Sequence, residues 1–201
     1  MAGPYQPLSA PVPAPVVVVS PQFCSPDVVP LTVTKKVASL SGGDFTVTDA
    51  NGAVELQVKG SFFTVRNRRV LLDVFSMHNR WEVFRGDSTN ASDLLFTVKR
   101  STLMQLRTEL DVFLAGNTAQ QACDFRLKGS YFDRNCAFYL GDSDVMSAKS
   151  INLISRKYTV SNVLLGKDTF NVTVFAHVDH VFVAALFVVL DEVHSRDRNR
   201  S

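Results

Sequence analysis

No proline follows Pro30; all eight lie at or before it. This absence divides the chain into a proline-marked leader and a long remainder in which no proline interrupts a strand ladder. Cysteine is scarce as well. Cys24, Cys123 and Cys136 are odd in number and widely spaced, which excludes a disulfide framework and fits a reducing compartment. Neither sign of charge dominates: 21 basic and 19 acidic side chains leave a net charge of +2, too little to imply nucleic acid on its own. No apolar run exceeds the ten residues Val181–Leu190. As a helix that run measures about 15 Å, half a bilayer's hydrocarbon thickness, which opposes a membrane span.

Enzyme signatures are missing too. No Gly-x-Ser-x-Gly elbow, Gly-x-Gly-x-x-Gly turn or Walker loop occurs, and Gly166-Lys167-Asp168 lacks both the preceding glycine and the hydroxyl. The N-terminus has no basic-then-apolar secretory pattern, and neither a myristoylation nor a prenylation motif is present. The expectation is a cytoplasmic, non-enzymatic protein of one domain, without cofactor or bound metal.

What is present is short-period alternation. Residues 1–15 read as a disordered proline-rich tail, a passive leader with a secondary capacity to recruit a protein partner. Val16–Val19 is too apolar for solvent and is expected to lie against the domain. From Leu31 onward apolar and polar residues alternate: Leu31, Val33 and Lys35 share one face. Asn51-Gly52 between Phe45–Asp49 and Val54–Val58 signals a hairpin. Further strands are expected at Phe62–Val65, Val70–Val74, Trp81–Phe84, Leu94–Val98, Leu106–Leu114, Cys123–Lys128, Ala137–Leu140, Val145–Ala148, Lys157–Val163 and Phe170–His177. Many short strands at this spacing point to an antiparallel barrel or sandwich.

The run Val181–Leu190 reads as a helix rather than a buried strand, spanning about residues 179–193. Ala184, Ala185 and Leu186 favour it, Asp179 can cap it, and Arg196 and Arg198 lie just past its end. A helix apolar on every side must be enclosed by protein. A barrel closed around it satisfies both the helix and the strands. His177-Val178-Asp179-His180 superficially resembles a metal cluster, but His78 and His194 are scattered and a capped strand-to-helix corner explains it better. Cys123 and Cys136 are candidate cross-strand neighbours. The most interesting polar set is basic: Lys35, Lys36, Arg66, Arg68, Arg69, Arg80, Arg85, Lys99, Arg100 and Arg107. If strand pairing gathers several of them, they form a site for anionic phosphate; otherwise they are a solvated exterior with Asp73, Glu82 and Asp87 as partners.

Trp81-Glu-Val-Phe-Arg-Gly86, Leu95-Phe-Thr-Val-Lys-Arg100, Leu110-Asp-Val-Phe-Leu114, Asp124-Phe-Arg-Leu-Lys-Gly129, Leu165-Gly-Lys-Asp168 and Val178–Val193 carry a resemblance. Over residues 16–198 the chain resembles the plant LURP-one-related family, relatives of tubby C-terminal domains and phospholipid scramblases. The resemblance implies a mainly β, tubby-like closed antiparallel barrel of about twelve strands around a hydrophobic C-terminal helix. It also implies peripheral binding of anionic phospholipid head groups, phosphoinositides among them, in plant defence signalling. The expected state is a monomer in the cytoplasm or at the plasma membrane, with no nucleic acid partner. The alternative is a protein-interaction scaffold that ignores lipid. One departure stands out: the family carries a further turn and strand where Val74-Phe75-Ser76 joins two motifs directly. A simple deletion would leave one strand fewer and two exposed edges; otherwise the flanking strands re-pair.

Overall fold

The computed structural model describes residues 14–36, 44–59, 62–65, 68–77, 80–86, 89–101, 108–130, 135–141, 150–157 and 167–198. Among them are twelve strands and a C-terminal helix: β1 (Val29–Lys36), β2 (Asp44–Thr48), β3 (Val54–Lys59), β4 (Phe62–Val65), β5 (Arg68–Met77) and β6 (Arg80–Arg85), then β7 (Leu94–Arg100), β8 (Thr108–Leu114), β9 (Phe125–Ser130), β10 (Asn135–Leu140), β11 (Ser150–Lys157), β12 (Lys167–Val174) and α1 (His180–Arg198). Every strand pairs antiparallel with its sequence neighbours, and β1 also pairs with β12, from Val29 opposite Val174 to Lys36 opposite Lys167. The ladder is therefore a closed barrel.

The turns explain the register. In the β2–β3 hairpin, Asp49 Oδ1 accepts hydrogen bonds from the Asn51 and Ala53 amides, while Gly52 takes φ +80°, a conformation suited to glycine. Alternation then sends one face of each strand inward: Leu31 and Val33, Phe45 and Val47, Trp81 and Val83, Leu110 and Val112, Phe125 and Leu127, Val172 and Val174 are all buried. The directly joined segment Val74–Ser76 lies inside β5, which pairs with β4 on one side and β6 on the other. Twelve strands are present among the described residues and no edge opens at this join. Val145–Ala148 and residues 158–163 lie outside the described residues; β11 ends at Lys157, where the sequence pattern had a strand begin.

α1 is the core. Each residue from Val181 to Leu190 is buried, and Val193 closes the apolar section. Phe182 meets Phe96 of β7 and Phe125 of β9, with ring centroids 5.1 and 5.3 Å away. Phe187, about 140° further round the helix at 100° per residue, meets Phe45 of β2 and Phe170 of β12 at 5.9 and 4.9 Å. Edge and tilted contacts on opposing walls fix the helix in rotation as well as depth. Burying its large side chains is worth on the order of 10–20 kcal/mol as an upper estimate. The helix does not stop before Arg196 and Arg198, as the sequence suggested, but runs through Arg198. Among the described residues no helix is long and apolar enough to cross a membrane.

Candidate functional site: a basic barrel end opposite a latched one

Because the strands alternate in direction, their ends fall into two sets. One set surrounds the start of α1. There Asp179 is fully buried, and its Oδ1 accepts from the Val181 and Phe182 amides at 3.0 and 3.1 Å, capping the helix. Its Oδ2 accepts from Val18, Val19 and Ser20, at 3.3, 2.7 and 3.0 Å. One carboxylate thus holds five backbone N–H groups from the two termini of the domain, an arrangement suited to a buried anion. The leader is pinned further. The Val16 amide donates to the His177 carbonyl and the Asp179 amide to the Val16 carbonyl; Arg85 donates to the Val19 carbonyl at 2.7 Å; and Phe23 packs edge-on against His180. Cys24 Sγ donates to the Val16 carbonyl at 3.5 Å, and burial, then the Asp179 charge, raises its thiol pKa above the ordinary value. Residues 1–13 of the proposed tail lie outside the described residues.

His177, Asp179 and His180 do adjoin, yet the Asp179 oxygens are committed to amides. Among the described residues no group of three His, Cys, Asp or Glu could hold a metal ion. Cys123 and Cys136 are not cross-strand neighbours: Cys136 sits opposite Gly129, six residues beyond Cys123 along the chain.

The other set of strand ends surrounds the exit of α1. Following the ladder, the terminal residues there are Lys36 (β1), Asp44 (β2), Lys59 (β3), Phe62 (β4), Met77 (β5), Arg80 (β6), Arg100 (β7), Thr108 (β8), Ser130 (β9), Asn135 (β10), Lys157 (β11) and Lys167 (β12). Six are cations and one is a carboxylate. At the latched end the strand termini include two cations, Arg68 and Arg85. The helix extends beyond the buried Val193 towards Arg196 and Arg198 at the basic end.

This sorting splits the basic residues nominated from sequence. Lys36, Arg80, Lys99 and Arg100 gather at the basic end, and Arg80 is directly opposite Lys99 across β6 and β7. Arg68, Arg69 and Arg85 belong to the latched end. Arg66 and Arg107 lie outside the described residues. Lys35, also near the basic end, follows Leu31 and Val33 onto the inward face; it ion-pairs with Asp191 of α1 and lies 5.5 Å from the Phe45 ring centroid. Arg80 pairs with Glu82 at 2.7 Å, and the Lys99 ammonium stands 5.0 Å over the Phe113 ring. On the adjoining wall Arg126 pairs with Asp111 at 2.7 Å, so β8 and β9 are charge-balanced. Lys59, Lys157 and Lys167 were not among the nominated residues. Their signal was strand polarity: each ends or begins a strand on the same side of the barrel.

The architecture is thus an antiparallel barrel filled by its own C-terminal helix, latched at one end and basic at the other. The LURP-one-related family model matches residues 29–191, from the first residue of β1 to Asp191 of α1, and the chain belongs to that family. It is 46% identical over 194 residues to protein LURP-one-related 15 of Arabidopsis thaliana, covering 90% of this chain and 88% of that one. Protein LURP1 of the same plant is 40% identical over 191 residues, covering 89% and 90%. A solved X-ray structure of an Arabidopsis thaliana protein superposes with a TM-score of 0.63 at 40% identity, over 89% of this chain and 98% of that one.

Proposed function

We propose that this chain is a peripheral binding module for anionic phospholipid head groups, acting in the plant defence signalling that the family resemblance implies. The observation that carries the reading is the concentration of cationic strand termini at one barrel end, Lys36, Lys59, Arg80, Arg100, Lys157 and Lys167, against two at the other. Lysine and arginine gathered on one side create a field that attracts anionic bilayers and weakens within a Debye length. The kinship with tubby domains, in which basic side chains of a barrel contact phosphoinositides, supports the same chemistry. The reading is one of binding, not turnover.

Co-sedimentation of the full chain with vesicles tests it. Vesicles containing anionic lipid are expected to carry the protein down, neutral phosphatidylcholine vesicles are not, and added salt should release it. A folded protein that stays in the supernatant with every anionic composition overturns the reading in favour of a protein-interaction scaffold.

A further inference from the structure

The cationic strand ends fall into two arcs. Lys157, Lys167, Lys36 and Lys59 terminate β11, β12, β1 and β3, with Asp44 of β2 interposed. Arg80 and Arg100 terminate β6 and β7, with Lys99 adjacent. Counted round the twelve-strand ring, the centres of these arcs lie about half a circuit apart. With strands about 4.8 Å apart and tilted about 40°, such a ring is about 24 Å across. The exit of α1 lies between the arcs, carrying Arg196 and Arg198 on its last turn. A single head group cannot bridge cations on opposite sides of such a ring.

From this placement we infer that the barrel docks end-on, its basic end against the bilayer and its latched end away from it. The surface so formed reads the density of negative charge, engaging several lipids at once instead of one phosphoinositide in a stereospecific pocket. Two opposed arcs resist tilting, because raising either one from the surface forfeits its attraction. Of the carboxylates at this end, Asp191 is turned onto Lys35 within the barrel mouth and Glu82 pairs with Arg80. Asp44 opens β2 between the ends of β1 and β3, and Asp197 lies between Arg196 and Arg198. The inference rests on the lipid-binding reading and specifies its ligand and orientation.

The test is vesicle co-sedimentation of the full chain at matched surface charge, with phosphatidylserine in one series and a phosphoinositide in the other. Equal binding in the two series is expected. The variant Arg80/Lys99/Arg100→Gln and the variant Lys36/Lys157/Lys167→Gln should each lose affinity by roughly a hundredfold, on the basis of roughly fivefold per cation near an anionic surface. The opposite-end variant Arg68/Arg69→Gln should bind like wild type. Lysine-to-arginine replacement at Lys36, Lys157 and Lys167 should retain binding, separating lost charge from lost fold. Phosphoinositide binding without phosphatidylserine binding would overturn the charge-density inference while leaving the lipid-binding reading intact. Loss of binding in Arg68/Arg69→Gln but in neither rim variant would overturn the end-on orientation. Failure to bind either series would instead remove the reading on which the inference rests.

Discussion

The two ends of the barrel solve opposite problems. At the latched end a buried charge is neutralised by geometry: five amides converge on Asp179 and leave its oxygens committed. At the basic end cationic residues gather at strand termini, away from the apolar core. The first arrangement contributes stability because its partners would be costly to desolvate unpaired. The second contributes little stability and provides attraction at a distance. Where a charge sits relative to the core therefore decides whether it holds the fold or can serve the lipid attraction proposed above.

Perturbations should grade along that contrast. The largest effect is expected from Leu186→Asp, which removes the difference between the ends by emptying the barrel of a competent core. An unpaired carboxylate on a buried helix face costs more than about 5 kcal/mol, and circular dichroism with size-exclusion chromatography should show unfolded or aggregated protein. A monomeric, fully folded variant would mean that α1 is not the enclosed element. Asp179→Ala should come next, costing about 3–5 kcal/mol in urea unfolding because both the leader and the helix start lose their acceptor. Removing residues 1–13 should leave stability unchanged, whereas removing residues 1–20 should cost nearly as much as Asp179→Ala. Combining that longer truncation with Asp179→Ala should be far from additive, because both act on one set of hydrogen bonds; additive losses would show that the leader is held by something else.

At the basic end Lys35→Met should cost less, about 1–2 kcal/mol, since it removes one ion pair and one ammonium–ring contact near the barrel mouth while keeping an unbranched apolar side chain there. A loss matching that of Asp179→Ala would erase the proposed asymmetry. The smallest effect concerns Cys24. Burial first and the Asp179 charge second raise its thiol pKa from 9.0, so the folded state holds the proton more tightly than the unfolded chain. That contribution is complete below the unfolded thiol's range and declines as pH rises past it. From about pH 8 to about pH 10 the wild type should therefore lose more stability than Cys24→Ala. Parallel losses would show that thiol ionisation is not coupled to the latch.

The helix was legible because ten apolar residues in succession admit little besides enclosure, and Asp179 announced itself as a cap by position. That it also holds the leader was not legible: the partners are backbone amides 159 to 161 positions away, and amides carry no sequence signature. The inward turn of Lys35 had a signal in its alternation with Leu31 and Val33, outweighed by the habit of assigning lysine to solvent. The basic end was hidden by a counting problem. In an up-and-down barrel each strand reverses direction, so one uncertain strand near Val74–Ser76 flips the assigned end of every cation after it. Once β5 runs continuously to Met77, the parity is fixed, and the lysines ending β1, β3 and β11 share one barrel end with Arg80 opening β6 and Lys167 opening β12. Arg66, Arg68 and Arg69 looked stronger in sequence only because they lie within four successive positions.

The position of α1 also governs how the protein can be made. A ribosome delivers all twelve strands before it delivers the helix that fills them, and the Asp179 carboxylate awaited by Val18, Val19 and Ser20 arrives later than every strand. Synthesis proceeds at about 5–20 residues per second, so the emerging sheet spends seconds with its interior faces unpartnered. Completion must await α1, whose Asp179 joins the leader to the helix start, and a nascent chain that stops before Asp179 lacks the acceptor for both.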